Sequence, residues 1–339
     1  MGAYNPGQCG ISDYVELLSE EFKKEGHAVK ILSVDQKQKK YSFGRNLPSA
    51  DLYSIQFAPY NFSEKGLLEK KLFNLACLLC SQKTHLNFHE IWIGAYPRAP
   101  FWERFTGWKQ KRKIIQFVNH LKPDLITCSN SASLDRLILS GIKAHYLYLF
   151  GNITFAQNSK ELNENFLKIA LFGTPYKKFP YELLGQKLEE ISEVTNSSIH
   201  IRILGRQRDD DGLNQLKHIS QKYNFKLVEY GELSVESLSN ELQKCNIGIS
   251  TTPFDIIGKS GTTTAMLEHG LPIITYDDAD TPTEKLFIFK KFSDQVFLVD
   301  EEKLVERIIS FCEKERKPFF HGVAYTAKEM LNLLNCEAC

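Results

Sequence analysis

The sequence has almost no net charge, because its 42 lysines and arginines are balanced by 41 aspartates and glutamates. No overall field therefore draws the chain toward nucleic acid, and we expect no nucleic-acid partner. The sequence also lacks any run of about 18 apolar residues, which excludes a membrane-spanning helix. Residues 1–10 are polar and glycine-rich rather than basic and then apolar, unlike a secretory signal. These absences predict a cytoplasmic globular protein.

Few cysteines and histidines have the spacing of metal ligands. Eight cysteines are present, and most lie in apolar segments, where a free cysteine behaves as a small hydrophobic residue. The pairs Cys77–Cys80 and Cys336–Cys339 have the spacing of half a zinc site, but no histidines at a matching spacing lie nearby. We therefore expect no bound metal and no resident cofactor, in a reducing compartment.

Apolar, β-rich runs alternate with amphipathic helices along all 339 residues. The predicted strands are 29–34, 52–57, 85–89, 124–128, 145–149, 167–172, 200–204, 226–230, 247–250, 272–276 and 296–299. This alternation predicts an α/β protein with parallel sheets and crossover helices. The length allows two domains, and the polar stretch 151–165 marks the boundary. We predict domains at 1–155 and 156–320, and a segment 321–339 whose helix can pack back on the first domain.

Two glycine-bearing loops each lead into a predicted helix, and the later one has the richer chemistry. Its residues are Gly258, Lys259, Ser260, Gly261, Thr262 and Thr263. A helix start offers unpaired N–H groups and about half a positive charge, so glycines, hydroxyls and a lysine there predict a phosphate site. A plain β-to-α turn with a Ser or Thr cap is the alternative. A P-loop is excluded, because Pro253 stands where that motif needs its first glycine.

The earlier loop contains Gly7, Gln8 and Gly10 and precedes a helix predicted over 13–25. Ser12 or Asp13 can cap that helix. The glycines fit either a ligand-binding loop or a simple tight turn. Helices of this type follow a buried strand, yet few residues precede the loop. The first strand is therefore missing or very short, or the true start lies upstream.

Basic and imidazole side chains follow other predicted strands. Lys177 and Lys178 come after Gly173, in a loop expected at the carboxyl edge of a parallel sheet, where ligands bind. They can neutralise a diphosphate or stand as solvated loop lysines. His89 ends another apolar run, and an imidazole there can orient a hydroxyl or pass a proton. A purely structural histidine is the alternative.

In their order along the chain, these motifs resemble the GT-B glycosyltransferases, specifically the family 4-like group. The resemblance runs from Gly7–Tyr14, through 54–60, His89-Glu90 and Gly173 with its lysines, to the strand–helix–strand segment 246–274. It implies two Rossmann-like βαβ domains facing across a cleft. The first would be the acceptor-side domain, and the second would bind the nucleotide sugar.

The resemblance also implies roles for individual residues. His89 would lie by the transferred sugar, Lys177 and Lys178 would hold the donor diphosphate, and the loop with Gly7, Gln8, Gly10 and Asp13 would face acceptor and donor. The family's Glu-x7-Glu pair is absent, because its positions are occupied by Ile257 and Ala265. Glu268, about one turn after Ala265, is a candidate substitute for the second carboxylate.

The expected activity is transfer of a sugar from a nucleotide-diphosphate sugar, acting as co-substrate, to a hydroxyl on a glycan or lipid-linked acceptor. The sequence has no paired-carboxylate metal site, so we expect a metal-independent reaction. The resemblance implies that the reaction is retaining. A catalytically inactive sugar-nucleotide-binding scaffold and a GT-B sugar-nucleotide epimerase remain alternatives. The aromatic and basic segment 101–113 is either a surface for peripheral contact with the inner face of the membrane or an ordinary helix with a basic solvent face.

Overall fold

A computed structural model gives the fold of the chain. It describes residues 4–7, 9–35, 40–41, 47–63, 66–94, 99–156, 166–206, 210–277, 290–314 and 317–336. The chain divides into two compact units, one formed by Met1–Tyr148 with Val323–Cys339 and the other by Leu149–Gly322. The sequence prediction had placed these divisions at 155/156 and 320/321.

The first unit contains a four-stranded parallel sheet, in the order β3-β4-β5-β6, and a separate two-stranded antiparallel ribbon, β1-β2. The strands are β1 (Val34–Asp35), β2 (Lys40–Tyr41), β3 (Tyr53–Phe57), β4 (Thr84–Phe88), β5 (Leu125–Cys128) and β6 (His145–Tyr146). The helices along this part of the chain are α1 (Gly10–Lys24), α2 (Pro59–Phe62), α3 (Lys70–Leu79), α4 (Phe101–Leu121) and α5 (Ser131–Ile138).

The predicted strand over 29–34 is wrong. Residues 27–33 form no strand, and only Val34–Asp35 pairs, with the short strand β2. Residues 28–32, β3 and α1 all contribute to the lining of a cavity of about 790 Å³. Without a neighbouring strand at hydrogen-bonding distance, this apolar run has no ladder to join. β3 is therefore an edge strand of the sheet.

The two faces of the first sheet differ in chemistry. Because side chains alternate along a strand, Ile55, Phe57, Leu86, Phe88 and Ile126 share one face. They form a buried core with residues of α3 and α4. Full burial of each such side chain contributes roughly 1.5–3 kcal/mol. The opposite face carries polar side chains from the alternate positions.

The second unit contains a six-stranded parallel sheet in the order β12-β11-β10-β7-β8-β9. Its strands are β7 (Phe166–Phe172), β8 (Ser198–Leu204), β9 (Lys226–Gly231), β10 (Ile247–Ile249), β11 (Ile273–Thr275) and β12 (Val296–Leu298). Its helices are α6 (Tyr181–Thr195), α7 (Asp210–Lys222), α8 (Val235–Gln243), a 3-10 helix (Phe254–Lys259), α9 (Gly261–Glu268) and α10 (Leu304–Cys312). The central strand β7 is apolar and buried from Ile169 to Leu171, as expected of a parallel strand covered on both faces.

The last helix, α11 (Val323–Cys336), belongs to the first unit, where it packs against α1. The hydroxyl of Thr326 donates to the backbone oxygen of Tyr148 at 2.9 Å, and the rings of Tyr148 and Tyr325 meet edge to face. Among the described residues, no helix is long and apolar enough to cross a membrane.

In each unit the parallel strands run in the same direction, so their carboxyl ends share one edge of the sheet. In the first unit the strands β3 and β4 end at Phe57 and Phe88. In the second, β7 and β10 end at Phe172 and Ile249. Ligands of open α/β sheets bind outside such edges, and most of the residues selected from the sequence lie just beyond them.

Candidate functional site

The start of α9 is built by a short hydroxyl network in the second unit. Ser260 is the N-cap: its Oγ accepts from the backbone N–H of Thr263 at 3.3 Å and lies 2.8 Å from Thr263 Oγ1. Thr263 Oγ1 also lies 2.7 Å from Ser250 Oγ, at the end of β10. The hydroxyls of Ser260 and Thr263 are thus occupied in positioning the helix. What this end of α9 offers a ligand is its backbone amides and dipole.

The loop after β7 lies directly beside this helix start. Gly173 has a φ of +100°, and a Cβ there would lie 3.1 Å from Thr262 Oγ1. Thr251 ties the same loop to the end of β10, since its hydroxyl donates to the backbone oxygen of Thr174 and its Oγ1 accepts from the N–H of Tyr176. Glycine at 173 therefore permits both the positive φ of the loop and its close approach to Thr262. The structure brings these two predicted loops together.

The three predicted lysines are exposed and differ in their partners. Lys259 ends the 3-10 helix just before the start of α9 and has no ion-pair partner among the described residues. Lys177 lies 3.8 Å from Asp211, and both side chains are largely exposed. Such pairs stabilise little, so Lys177 retains charge that is accessible to an anion. Its neighbour Lys178 is also exposed.

Glu268 has a different role from the one expected of it. Its side chain is fully buried, with Oε2 accepting from the N–H of Gly151 at 3.0 Å and Oε1 from the N–H of Gly322 at 2.9 Å. These amides belong to the first and last segments of the second unit. Because the buried carboxyl group accepts hydrogen bonds from both segments, we leave Glu268 out of the donor site. Ile257 and Ala265, at the positions of the absent family glutamates, are fully buried apolar residues.

The loop predicted at the start of the first unit makes hydrogen bonds to side chains of α1, the helix that follows it. The N–H of Gly7 (φ +77°) donates to Asp13 Oδ1 at 2.6 Å, and the N–H of Asn5 donates to Ser12 Oγ at 3.0 Å. The expectation that Ser12 or Asp13 caps the helix is wrong, because α1 already begins at Gly10. Gln8 lies outside the described residues.

His89 follows β4 at the carboxyl edge of the first sheet. Its Nε2 lies 2.8 Å from Gln56 Oε1 and 3.3 Å from Asn87 Nδ2. The ring of Tyr14, from α1, meets it edge to face at 5.0 Å. Burial lowers the pKa of His89 to about 4, so the ring is neutral near pH 7. A neutral imidazole can accept or donate a hydrogen bond but carries no charge.

Sequence reasoning missed the polar side chains that surround His89. These are Ser54, Gln56, His85, Asn87 and Thr127, joined by hydrogen bonds across β3, β4 and β5. A signal was available, since polar residues occupy every second position of β3 and β4 within otherwise apolar runs. Alternation of this kind places them on one face of the sheet.

The sequence matches no known family model and no curated protein. Solved structures do match it over nearly its full length. HepE from Anabaena, solved with UDP and glucose, is 10% identical with a TM-score of 0.53, covering 99% of this chain and 98% of HepE. MnaA from S. aureus, solved with UDP, is 12% identical with a TM-score of 0.51, covering 97% of this chain and 94% of MnaA. The chain has the GT-B fold. This confirms the predicted fold class of two Rossmann-like α/β domains, and at such identity the likeness concerns the fold alone.

Helix α4 begins with an exposed aromatic surface. Phe101 and Trp102 are 83% and 63% exposed, and Phe105 and Trp108 are also exposed and stack on each other. Lys109 lies over the ring of Phe105, 4.2 Å from its centroid. We call these five residues the aromatic–basic surface. Isolated exposed apolar residues are common, whereas four exposed aromatic side chains within residues 101–108 are a candidate contact surface.

Among the described residues, no group of three or more His, Cys, Asp or Glu side chains is placed to hold a metal ion. Cys77, Cys80 and Cys336 are free and exposed. Cys339 lies outside the described residues.

Proposed function

We propose that this chain is a glycosyltransferase that moves a sugar from a nucleoside-diphosphate carrier to a hydroxyl acceptor. The donor diphosphate binds at the start of α9. The observation that carries this proposal is the convergence, at one sheet edge, of the capped end of α9, the Gly173 loop and the exposed cation Lys259, which has no ion-pair partner in the described part of the chain. The GT-B fold supports it, since HepE and MnaA with that fold were solved with UDP.

The chemical task is to stabilise negative charge on the departing nucleoside diphosphate. The amino end of α9 contributes roughly half a positive charge, and Lys259 adds a full one beside it. The dipole of α9 is fixed by the fold, so it stabilises the transition state without reorganising when the bond breaks. Because α9 and Lys259 supply that charge, we expect transfer to continue when a chelator such as EDTA is present. Retention of anomeric configuration is implied by the family resemblance, and NMR of the product tests it.

Donor binding is tested with UDP, GDP, ADP and their sugar conjugates by calorimetry and thermal shift. A bound nucleotide raises the melting temperature by mass action. Lys259→Ala should weaken the affinity about five- to tenfold, since charge-assisted contacts to phosphate are strong. The matched control is Lys226→Ala, which removes an exposed lysine at the amino end of β9, and therefore at the opposite edge of the sheet. The proposal fails if no nucleotide binds or if Lys259→Ala binds as tightly as the unmodified chain.

A binding protein without transfer activity is the second candidate. The two carboxylates that the family resemblance would require are absent, because their positions are occupied by the apolar residues Ile257 and Ala265, both fully buried. Incubation with labelled nucleotide sugars and hydroxyl acceptors separates the two functions. Transfer supports the enzyme, binding without turnover supports the scaffold, and sugar isomerisation without transfer supports an epimerase.

The acceptor that we propose is lipid-linked, presented at a membrane surface contacted by the start of α4. Aromatic rings enter the interface between headgroups and acyl chains, while neighbouring cations attract anionic lipids. Flotation with phosphatidylcholine vesicles, with and without phosphatidylglycerol, measures this contact. The double variant Phe101→Ser with Trp102→Ser should abolish flotation on anionic vesicles. Leu139→Ser, which removes an 85% exposed leucine at the end of α5, should not. Equal flotation of both variants contradicts the proposal.

A further inference from the structure

Six polar side chains form one hydrogen-bonded cluster on the polar face of the first sheet. They are Ser54, Gln56, His85, Asn87, His89 and Thr127. Each hydrogen bond in the cluster needs one donor and one acceptor. With the side-chain amides of Asn87 and Gln56 oriented as in the structure, the positions of the protons on both histidines follow from their neighbours.

Thr127, in β5, is fully buried. Its hydroxyl donates to Asn87 Oδ1 at 2.8 Å, which uses its only proton. His85 Nε2 lies 2.8 Å from Thr127 Oγ1 and must therefore be the donor of that contact. Burial lowers the pKa of His85 to about 3, so the ring is neutral and Nδ1 has no proton. His85 Nδ1 consequently accepts from the hydroxyl of Ser54, at 2.9 Å.

The second half of the cluster determines His89. Since the Ser54 hydroxyl proton points to His85, the Ser54 oxygen accepts from Gln56 Nε2 at 2.9 Å. The other end of that amide, Gln56 Oε1, then faces Asn87 Nδ2 at 2.9 Å and His89 Nε2 at 2.8 Å. An amide oxygen only accepts, so His89 Nε2 carries the proton. The 3.3 Å contact between Asn87 and His89 joins two donors that share this one oxygen.

We propose that the cluster holds His89 as the Nε2–H tautomer, so that its Nδ1 lone pair accepts a hydrogen bond from a substrate hydroxyl. Gln56 is the positioning residue, and His85 with Thr127 sets the orientation of Gln56. Among the described residues, Nδ1 of His89 makes no hydrogen bond. The hydroxyl is that of a sugar or acceptor, so this part rests on the proposed function.

The tautomers of the two histidines are coupled. The alternative arrangement has the proton on Nδ1 of both imidazoles. It requires the side-chain amides of Gln56 and Asn87 to exchange the positions of their oxygen and nitrogen atoms. Intermediate arrangements place two donors or two acceptors in contact within a buried site, which costs about 1–3 kcal/mol for each unsatisfied group. The two histidines therefore change tautomer together or not at all. The tautomer of His85 determines that of His89 through Ser54 and Gln56, without direct contact between the two rings.

Long-range 1H–15N correlation of the full chain with 15N-labelled histidine reads the tautomers directly. The chain has nine histidines, and loss of one signal in His85→Gln and another in His89→Gln assigns the two rings. We expect both rings to be neutral at pH 7 with the proton on Nε2. A proton on Nδ1 of His89, a mixture of tautomers or a charged ring overturns the inference.

Two variants test the function of the lone pair. Gln56→Glu keeps the shape but offers His89 a carboxylate, which should protonate both ring nitrogens and reduce kcat roughly tenfold or more, with donor affinity little changed. Thr127→Val removes the hydroxyl that orients the cluster and should yield mixed tautomers. The matched control is Thr84→Val, which removes a buried hydroxyl that has no hydrogen-bond partner among the described residues. It should leave tautomers and turnover unchanged.

The outcomes separate this inference from the proposed function. If no sugar nucleotide is bound or turned over, the proposed function fails, while the tautomer assignment is judged by the NMR spectrum alone. If transfer occurs and Gln56→Glu has a charged His89 but normal kcat, the role of the lone pair is wrong although the enzyme assignment stands. Mixed tautomers in Thr84→Val would show that the cluster does not determine them.

Discussion

Replacing Glu268 by glutamine should destabilise the second unit and leave donor binding nearly unchanged. Each carboxyl oxygen accepts one buried backbone amide, from Gly151 and from Gly322. Glutamine preserves the volume of the side chain but turns one oxygen into an NH2 group. That group is a donor and faces an amide that is also a donor.

The size of the effect follows from the loss of one buried hydrogen bond and the donor–donor contact that replaces it. Leaving a buried backbone N–H unsatisfied costs about 1–3 kcal/mol, and the opposed donors add to this. We expect a loss of roughly 2–4 kcal/mol in the free energy of unfolding. For a domain of this size, 1 kcal/mol corresponds to about 2–4 °C in Tm, so the Tm should fall by roughly 5–15 °C.

Differential scanning calorimetry and urea denaturation followed by circular dichroism measure this loss. All three tryptophans, Trp92, Trp102 and Trp108, belong to the first unit, so their fluorescence follows that unit separately. The control Glu302→Gln changes an exposed carboxylate and should stay within about 0.5 kcal/mol. If Glu268→Gln melts normally but binds UDP or its sugar conjugates more than about tenfold more weakly (about 1.4 kcal/mol), Glu268 is a ligand contact and not a structural one.

Three further predictions concern packing and protonation. Thr263→Val removes a hydroxyl with two partners at 2.7 and 2.8 Å and should lower the free energy of unfolding by about 1–3 kcal/mol in urea denaturation. Thr264→Val removes a buried hydroxyl that has no partner in the part of the chain that the structure describes, so it should leave the free energy of unfolding unchanged, and equal losses in the two variants contradict this. His85 and His89, with pKa values lowered by burial to about 3 and about 4, should bind protons only after unfolding as the pH falls from 7 to 5. The free energy of unfolding should then drop by roughly 2 kcal/mol per ring at pH 5, and a stability that is flat over this range in urea titrations counts against neutral buried rings. Gly151→Ala would place a Cβ 2.6 Å from the backbone of α9, so it should lower the Tm or the soluble yield sharply. A normal melting curve would show that the backbone at residue 151 and helix α9 can move apart.

The alternation of apolar runs with amphipathic helices was enough to predict an α/β protein with two parallel sheets, because a parallel strand needs a crossover connection. The same pattern failed over residues 29–34. Apolar character there is real, but a strand also needs a neighbour to pair with, and residues 28–32 line a cavity instead. Local sequence carries the tendency of a segment to be extended and contains no information on whether a partner is in place.

At the candidate site, sequence patterns predicted the helix start near Gly258 and the neighbouring Gly173 loop, since glycine and Ser/Thr caps act locally. The role of Glu268 could not be predicted, because its partners Gly151 and Gly322 are distant in sequence. The cluster around His89 likewise draws on three strands.

Sequence patterns predicted the type of most elements, the order of the two βα series and the chemistry available in each loop, because periodicity, capping and backbone freedom depend on near neighbours. Packing in three dimensions sets which polar groups hold the fold together and which remain available to a ligand. That distinction depends on hydrogen-bond partners brought together by packing, as with Glu268 and His89, and no local pattern encodes it.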